Sequence, residues 1–101
     1  VAGGYTGVFC FNDMMAYGLY KRCLEIGTRI PQDISLVGFD DIFFSDYINL
    51  TAIRQPAYNL GIEAARRAFY EIENPDTPPR FLYFEPSIRI RGSVAAQNLS
   101  K

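Results

Sequence analysis

The chain contains no histidine. That removes the commonest general base, any Ser-His-Asp triad and most zinc sites built on imidazole. Cysteine is scarce too, with only Cys10 and Cys23. Cys10 sits in an apolar run and Cys23 on the apolar side of a helical pattern, so both read as buried free thiols rather than a disulfide or a metal knuckle. A reducing, cytoplasmic setting fits that reading. No apolar stretch approaches the roughly 20 residues of a membrane span. The opening residues lack the basic start and long apolar core of a signal peptide. Neither sign of charge is in excess: ten Lys and Arg face eleven Asp and Glu, for a net charge of -1. There is therefore no global attraction for nucleic acid. The densest basic patches, Arg66-Arg67 and Arg89 with Arg91, read as solvated faces.

What is present suits one small folded domain of 101 residues. The apolar share of 49% with 21% charged residues is too hydrophobic and too balanced for disorder. Gly7 to Phe11 is a short apolar run and reads as a buried strand. Asn12 and Asp13 follow, and either type caps a helix by accepting backbone N–H groups. Met15, Ala16, Leu19, Tyr20, Cys23 and Leu24 then recur at helical spacing from Asp13 to Ile26, and Gly27 supplies a left-handed stop. After a turn at Ile30 to Asp33, Ile34 to Phe39 forms a second apolar strand, closed by Asp40 and Asp41. The unit is βαβ, which implies a parallel sheet. A short, aromatic-rich helical or irregular stretch spans Ile42 to Ile48, and Thr51 to Arg54 makes a third strand. Tyr58 to Ile72 is a helix with Leu60, Ala64, Ala65, Ala68, Phe69 and Ile72 on one stripe. Asn74 to Pro79 is a loop, Phe81 to Arg91 is strand-like with a break at Pro86, and residues 94–101 read as a frayed tail.

In an open parallel sheet, ligands bind beyond the carboxyl ends of the strands. The first strand ends in Asn12-Asp13, the second in Asp40-Asp41, the third in Gln55. Carboxylates accept O–H donors and amides both donate and accept, so these types suit recognition of hydroxyl groups. Phe11, Phe39, Phe43, Phe44 and Tyr47 could supply an apolar wall for a ring face. Each piece also has a plainer reading: a helix cap for Asn12 or Asp13, a turn for Asp40-Asp41, loop chemistry for Gln55, and core for the aromatics.

Taken in order, the motifs resemble those of LacI/GalR regulators. Phe11 to Gly18 is similar to the family's ND-x-x-A-x-G helix opening, Ile30 to Asp41 to its VPxDxSVxGFDD, and Leu50 to Pro56 to its LTTxxQP. Gly61 to Ala65 is similar to its LGxxAA helix, and Arg91-Gly92-Ser93 to its terminal RxS. The usual proline pair before Thr51 is absent, which shortens the loop at Tyr47 to Thr51. The resemblance implies an α/β fold: a partial periplasmic-binding-protein-like (type I), parallel-sheet, three-layer sandwich. It implies that residues 1–54 and about 81–93 belong mainly to a C-terminal lobe, while about 55–80 cross to the N-terminal lobe. It further implies that Asn12, Asp40 and Gln55 bond a small-molecule effector, a sugar or purine-like compound. A homodimer would couple occupancy to operator DNA through a helix-turn-helix domain that these residues do not contain. The helix from Asp13 to Ile26 and the aromatic stretch up to Tyr47 would lie near the dimer contact. No enzyme activity, cofactor, metal or membrane contact is implied.

Two other readings compete. A periplasmic sugar-binding protein of a transporter would use the same strand-end residues. A Mg²⁺-dependent phosphoryl-transfer or receiver-like domain would use Asp13, Asp40 and Asp41 as a carboxylate cluster. Against the latter, Lys21 lies mid-helix, Lys101 is terminal, and no Gly-rich phosphate loop follows the first strand. A chain carrying parts of two lobes would also expose the apolar side of its second helix and self-associate through it.

Overall fold

The computed structural model describes residues 2–97. They divide into two compact units, one of residues up to Arg54 together with those from Ser87 onward, the other Gln55–Pro86.

The first unit is a four-stranded sheet in the order β1-β2-β3-β4, with β1 (Gly7–Phe9), β2 (Ser35–Asp40), β3 (Thr51–Arg54) and β4 (Ser87–Arg89). β1, β2 and β3 run parallel, and β4 is antiparallel to β3. Helix α1 (Asp13–Ile26) links β1 to β2. Its start is capped by Asn12, whose side chain accepts the Met15 N–H at 2.9 Å. Of the two candidate caps, Asn12 is the one used, and Asp13 is instead the buried first residue of the helix. Gly27 ends α1 at φ 77, a conformation open to glycine without steric cost.

Side chains alternate across the sheet. Leu36 and Ala52 turn to the α1 side, where Cys10, Ala16, Leu36 and Leu50 form the core with Val8, Tyr17, Leu19, Tyr20, Ile30 and Ile48 packed on it. Both thiols are free and buried. Met15 and Leu24, expected on the inner side of α1, are exposed, because the sheet is narrow and Ala16, Tyr17, Tyr20 and Cys23 suffice to cover it.

The alternate residues of the strands are apolar as well. Phe9 and Phe39 meet edge to face at 6.4 Å, and Val37, Ile53 and Ile88 share their register. Of the three layers expected, this unit therefore contains the sheet and one helical layer. No helix among its described residues covers the second apolar face, and Phe9 is 61% exposed there. The reading of Gly7 to Phe11 as a buried strand is corrected accordingly: β1 stops at Phe9, only Cys10 of the run is buried, and Phe11 is 81% exposed. Beyond Cys10, whose N–H still bonds the Val37 carbonyl, the chain leaves the sheet to place Asn12 as a cap.

Two other expectations change. Phe81 to Arg91 is not one strand, since only Ser87–Arg89 pairs. Residues 81–86 belong to the second unit, without a paired strand there among the described residues, and Pro86 has no N–H to donate. Residues 94–97 are not frayed throughout, because Ala95 donates its N–H to Ser35 Oγ at 3.1 Å and accepts from it at 3.2 Å. The remainder of the expected tail, residues 98–101, lies outside the described residues.

The second unit consists of α2 (Ala57–Glu73) and the segment after it. Helix-surface pairs Arg66–Glu63 and Arg67–Glu71 lie at 2.7 and 3.5 Å. Arg67 also donates to the Pro78 carbonyl at 2.7 Å, tying the loop back to the helix. No residue of α2 is buried. A depression of about 780 Å³ between α2 and residues 77–84 is lined by Leu60, Ala64, Tyr70, Pro79, Leu82 and Phe84 among others. The apolar stripe expected for this helix is thus present and uncovered among the described residues.

Candidate functional site

Because β1, β2 and β3 are parallel, their carboxyl ends share one edge of the first unit. Asp40 is the last residue of β2, paired in register with Arg54 at the end of β3. Asn12 follows β1 by three residues, and Cys10 still donates its N–H to Val37 at 2.8 Å, so pairing continues past Phe9. Asn12 and Asp40 are both half-buried and stand on this same edge. Gln55, also half-buried, is the first residue of the second unit, and its carbonyl accepts the Ala57 N–H at 2.8 Å.

The turn after β2 has an unusual backbone. Asp40 has φ 116 and Asp41 φ 60, both in a region that side chains with a Cβ rarely occupy. Such residues persist where neighbouring contacts over-determine them, and they cluster at functional sites. Asp41 is not turned toward an open edge. Its side chain is 6% exposed, and its Oδ1 accepts from Arg91 at 2.7 Å. Arg91, only 16% exposed, also donates to the Leu50 carbonyl at 2.6 Å. Arg89 and Asp46 lie further out, at 3.8 Å from Asp41 and 3.5 Å from Arg91 respectively. A depression of about 460 Å³ here is lined by Asp41, Asp46, Arg54, Arg89 and Arg91 with Phe43.

Asp13 is wholly buried. Its Oδ2 accepts the Ile42 N–H at 2.9 Å and the Ser45 hydroxyl. With the Ser45 proton directed at Asp13, the Tyr17 hydroxyl donates to Ser45 Oγ at 2.8 Å. Oδ1 has no hydrogen-bond partner among the described residues and packs against Gly38. Burial, and then the negative charge of Asp13, push the neighbouring Cys10 thiol above its ordinary value. It therefore stays protonated at neutral pH and is no nucleophile.

The carboxylate-cluster reading has no geometric support. Asp13 and Asp41 are engaged inside the fold, and among the described residues no three His, Cys, Asp or Glu side chains are placed to hold a metal ion. The aromatic residues separate into two groups. Phe43, Phe44 and Tyr47 pack on one another with ring centroids 5.3 to 5.9 Å apart and are exposed, whereas Phe39 packs on Phe9. The shortened loop closes through the Leu50 N–H to the Ser45 carbonyl at 2.8 Å, with Asn49 at φ 58.

The reading of Arg91 as part of a solvated face is corrected, since its guanidinium is drawn inward by the Asp41 carboxylate and the Leu50 carbonyl; sequence reasoning gave no role to Ser93 or to the inward side of Asp13. Ser93 is buried, and its Oγ donates to the Leu36 carbonyl at 2.5 Å and accepts the Thr51 N–H at 2.8 Å. It thereby joins β2 to β3. The only signal in the sequence was the RxS motif itself.

A mostly parallel sheet with a helix over one face and polar groups at the carboxyl ends of its parallel strands defines an α/β domain. The model of the periplasmic binding protein-like domain matches residues 4–94. The chain is 40% identical over 95 residues to the HTH-type transcriptional repressor PurR of Vibrio atlanticus, an alignment covering 92% of this chain and 28% of that protein. It is also 40% identical over 91 residues to the ribose operon repressor of Haemophilus influenzae, covering 88% and 27%. A crystal structure of a LacI family transcriptional regulator from Enterococcus faecium with bound ribose superposes with a TM-score of 0.87 at 35% identity, covering 93% of this chain and 36% of that one. The chain therefore belongs to the periplasmic binding protein-like domain family. It spans a little over a quarter of the length of the curated relatives it matches.

Proposed function

We infer that this chain is part of the effector sensor of a cytoplasmic transcriptional repressor, a binding module and not an enzyme. The effector is a small polar metabolite, a sugar or purine-like compound. Residues 1–54 with the returning strand β4 belong to one lobe, and α2 to the other. Asn12, Asp40 and Gln55 bond the effector. The observation that carries this reading is Asp40, a carboxylate at the carboxyl end of a parallel strand held at φ 116. Asn12 stands on the same edge. Its Oδ1 caps α1, so its Nδ2 is the part suited to donate to a ligand. The ribose operon repressor among the relatives and the ribose-bound neighbour support a sugar.

The exposed cluster of Phe43, Phe44 and Tyr47 supports a homodimer contact near α1. Aromatic residues are enriched where proteins associate. Operator DNA would be read by a helix-turn-helix domain elsewhere in the protein, so that effector binding in the dimer shifts DNA affinity. Calorimetric titration of the intact protein with D-ribose, other sugars and purine bases tests the reading. One compound binds, and Asp40→Ala removes most of its affinity, about 2–5 kcal/mol for losing a charged acceptor that the bound ligand desolvates. Unaltered binding by Asp40→Ala would refute the assignment.

A further inference from the structure

Asp40 cannot hold its backbone conformation alone. With φ positive at two successive non-glycine residues, the Asp40-Asp41 corner is strained. Two contacts from distant parts of the first unit grip it. Arg91 holds the Asp41 carboxylate on one side. On the other, Asp13 holds the Ile42 N–H and, through Ser45, the turn that follows.

Asp13 is not needed as a helix cap, since Asn12 already serves. A wholly buried carboxylate with one oxygen lacking a hydrogen-bond partner is unfavourable for packing alone. Its other oxygen is the atom that fixes the residue two beyond Asp40. Tyr17 extends the same chain of hydrogen bonds outward through Ser45, and its ring contacts Phe44 of the aromatic cluster at 6.2 Å.

We propose that Asp13 is a positioning residue: it clamps the Asp40-Asp41 corner into its effector-binding conformation by accepting the Ile42 N–H and the Ser45 hydroxyl, opposite the Arg91–Asp41 pair. Loosening this clamp lowers the fraction of molecules in which Asp40 is presented, and apparent affinity falls by that fraction. The proposal rests on the effector reading above, with Asp40 as the contacting group.

The test uses the intact protein that carries this chain and two separate measurements. The first is amide hydrogen exchange at Ile42, with Leu36 and Ala52 as core references. The second is D-ribose binding by calorimetry. Asp13→Ala removes both acceptor bonds. Asp13→Asn retains an oxygen able to accept them. Ser45→Ala deletes only one of the two bonds to Asp13, together with the Tyr17 hydroxyl's bond to Ser45, and serves if Asp13→Ala fails to fold.

In Asp13→Ala the Ile42 amide exchanges at least about tenfold faster while Leu36 and Ala52 are unchanged. Ribose affinity drops at least about tenfold in Asp13→Ala, returns to within about threefold in Asp13→Asn, and falls between these in Ser45→Ala. A merely structural role for Asp13 would loosen the core amides in parallel. Unchanged exchange at Ile42 overturns the proposal, as does a loosened Ile42 with undiminished ribose affinity. If the wild-type protein does not bind ribose, the ribose form of the effector reading fails separately. The exchange measurement then decides the clamp by itself, with retained Ile42 protection in Asp13→Ala and Ser45→Ala counting against it.

Discussion

Asp13 lies directly against Gly38, so closely that a β-carbon at position 38 would fall 2.2 Å from Oδ1 of Asp13 and 2.9 Å from Leu50 Cδ2. The glycine is required by close approach, since its own φ is not positive. It lets α1 settle onto the sheet with a buried carboxylate at its first turn.

Gly38→Ala is therefore expected to destabilise the fold by about 1–3 kcal/mol, the usual range for overpacking a core. Because the clash is with Asp13, Asp13→Ala combined with Gly38→Ala should cost less than the sum of the two single changes. Urea midpoints of the four proteins measure this coupling, and strict additivity would count against it.

At Asp40 two substitutions separate backbone from side chain. Asp40→Gly and Asp40→Ala both delete the carboxylate, but only glycine adopts φ 116 without strain. The glycine variant should be more stable than the alanine variant by about 1 kcal/mol or more, while both lose the effector contact. Thermal unfolding of the pair in the absence of ligand checks the difference.

Ser93→Ala should destabilise by about 1–3 kcal/mol, because it leaves the buried Leu36 carbonyl and Thr51 N–H without their side-chain partner. Ser93→Thr retains the hydroxyl and should recover part of the loss if its extra methyl is accommodated. Denaturant titration of the two variants compares them.

Cys10 provides a pH signature. Its thiol is raised above the ordinary value by burial and by Asp13. The folded state thus holds the proton more tightly than the unfolded chain, whose cysteine titrates at its ordinary value, roughly 8.5. The associated stability is complete below that pH and lost as pH rises through the folded value. Wild-type protein should lose stability faster than Cys10→Ala above about pH 9, as unfolding midpoints across the alkaline range would show. Iodoacetamide at neutral pH should modify Cys10 only on unfolding.

Local patterns revealed a good part of this. Gly27, a cap at residue 12 or 13, the parallel strands and the long α2 each rest on neighbours within a turn or a strand, where residue type and spacing carry the information. The strand-end rule located Asn12 and Asp40 on one edge without any knowledge of contacts. Less legible was where the partners of the acidic residues lie. Asp41 and Asp13 look no different from Asp40 in the sequence, yet they are held by partners 50 and 29 residues away. Those partners, Arg91 and the Ile42 backbone, are defined only once the sheet has formed. The strand expected over Phe81 to Arg91 failed for a related reason. Apolar residues there satisfy strand composition, but a strand also needs a neighbouring backbone to bond.

The fastening of Asp41 by Arg91 has a consequence for biosynthesis. Ribosomes deliver the amino-terminal part first, so the strained corner is made 50 residues before the guanidinium that secures it. Until Arg91 and Ser93 emerge, the nascent strands lack both their tether and their bridge. A stop codon or frameshift just ahead of Arg91 would leave Asn12, Asp40 and Gln55 in the product and still yield a sheet whose Asp40-Asp41 corner is unlatched.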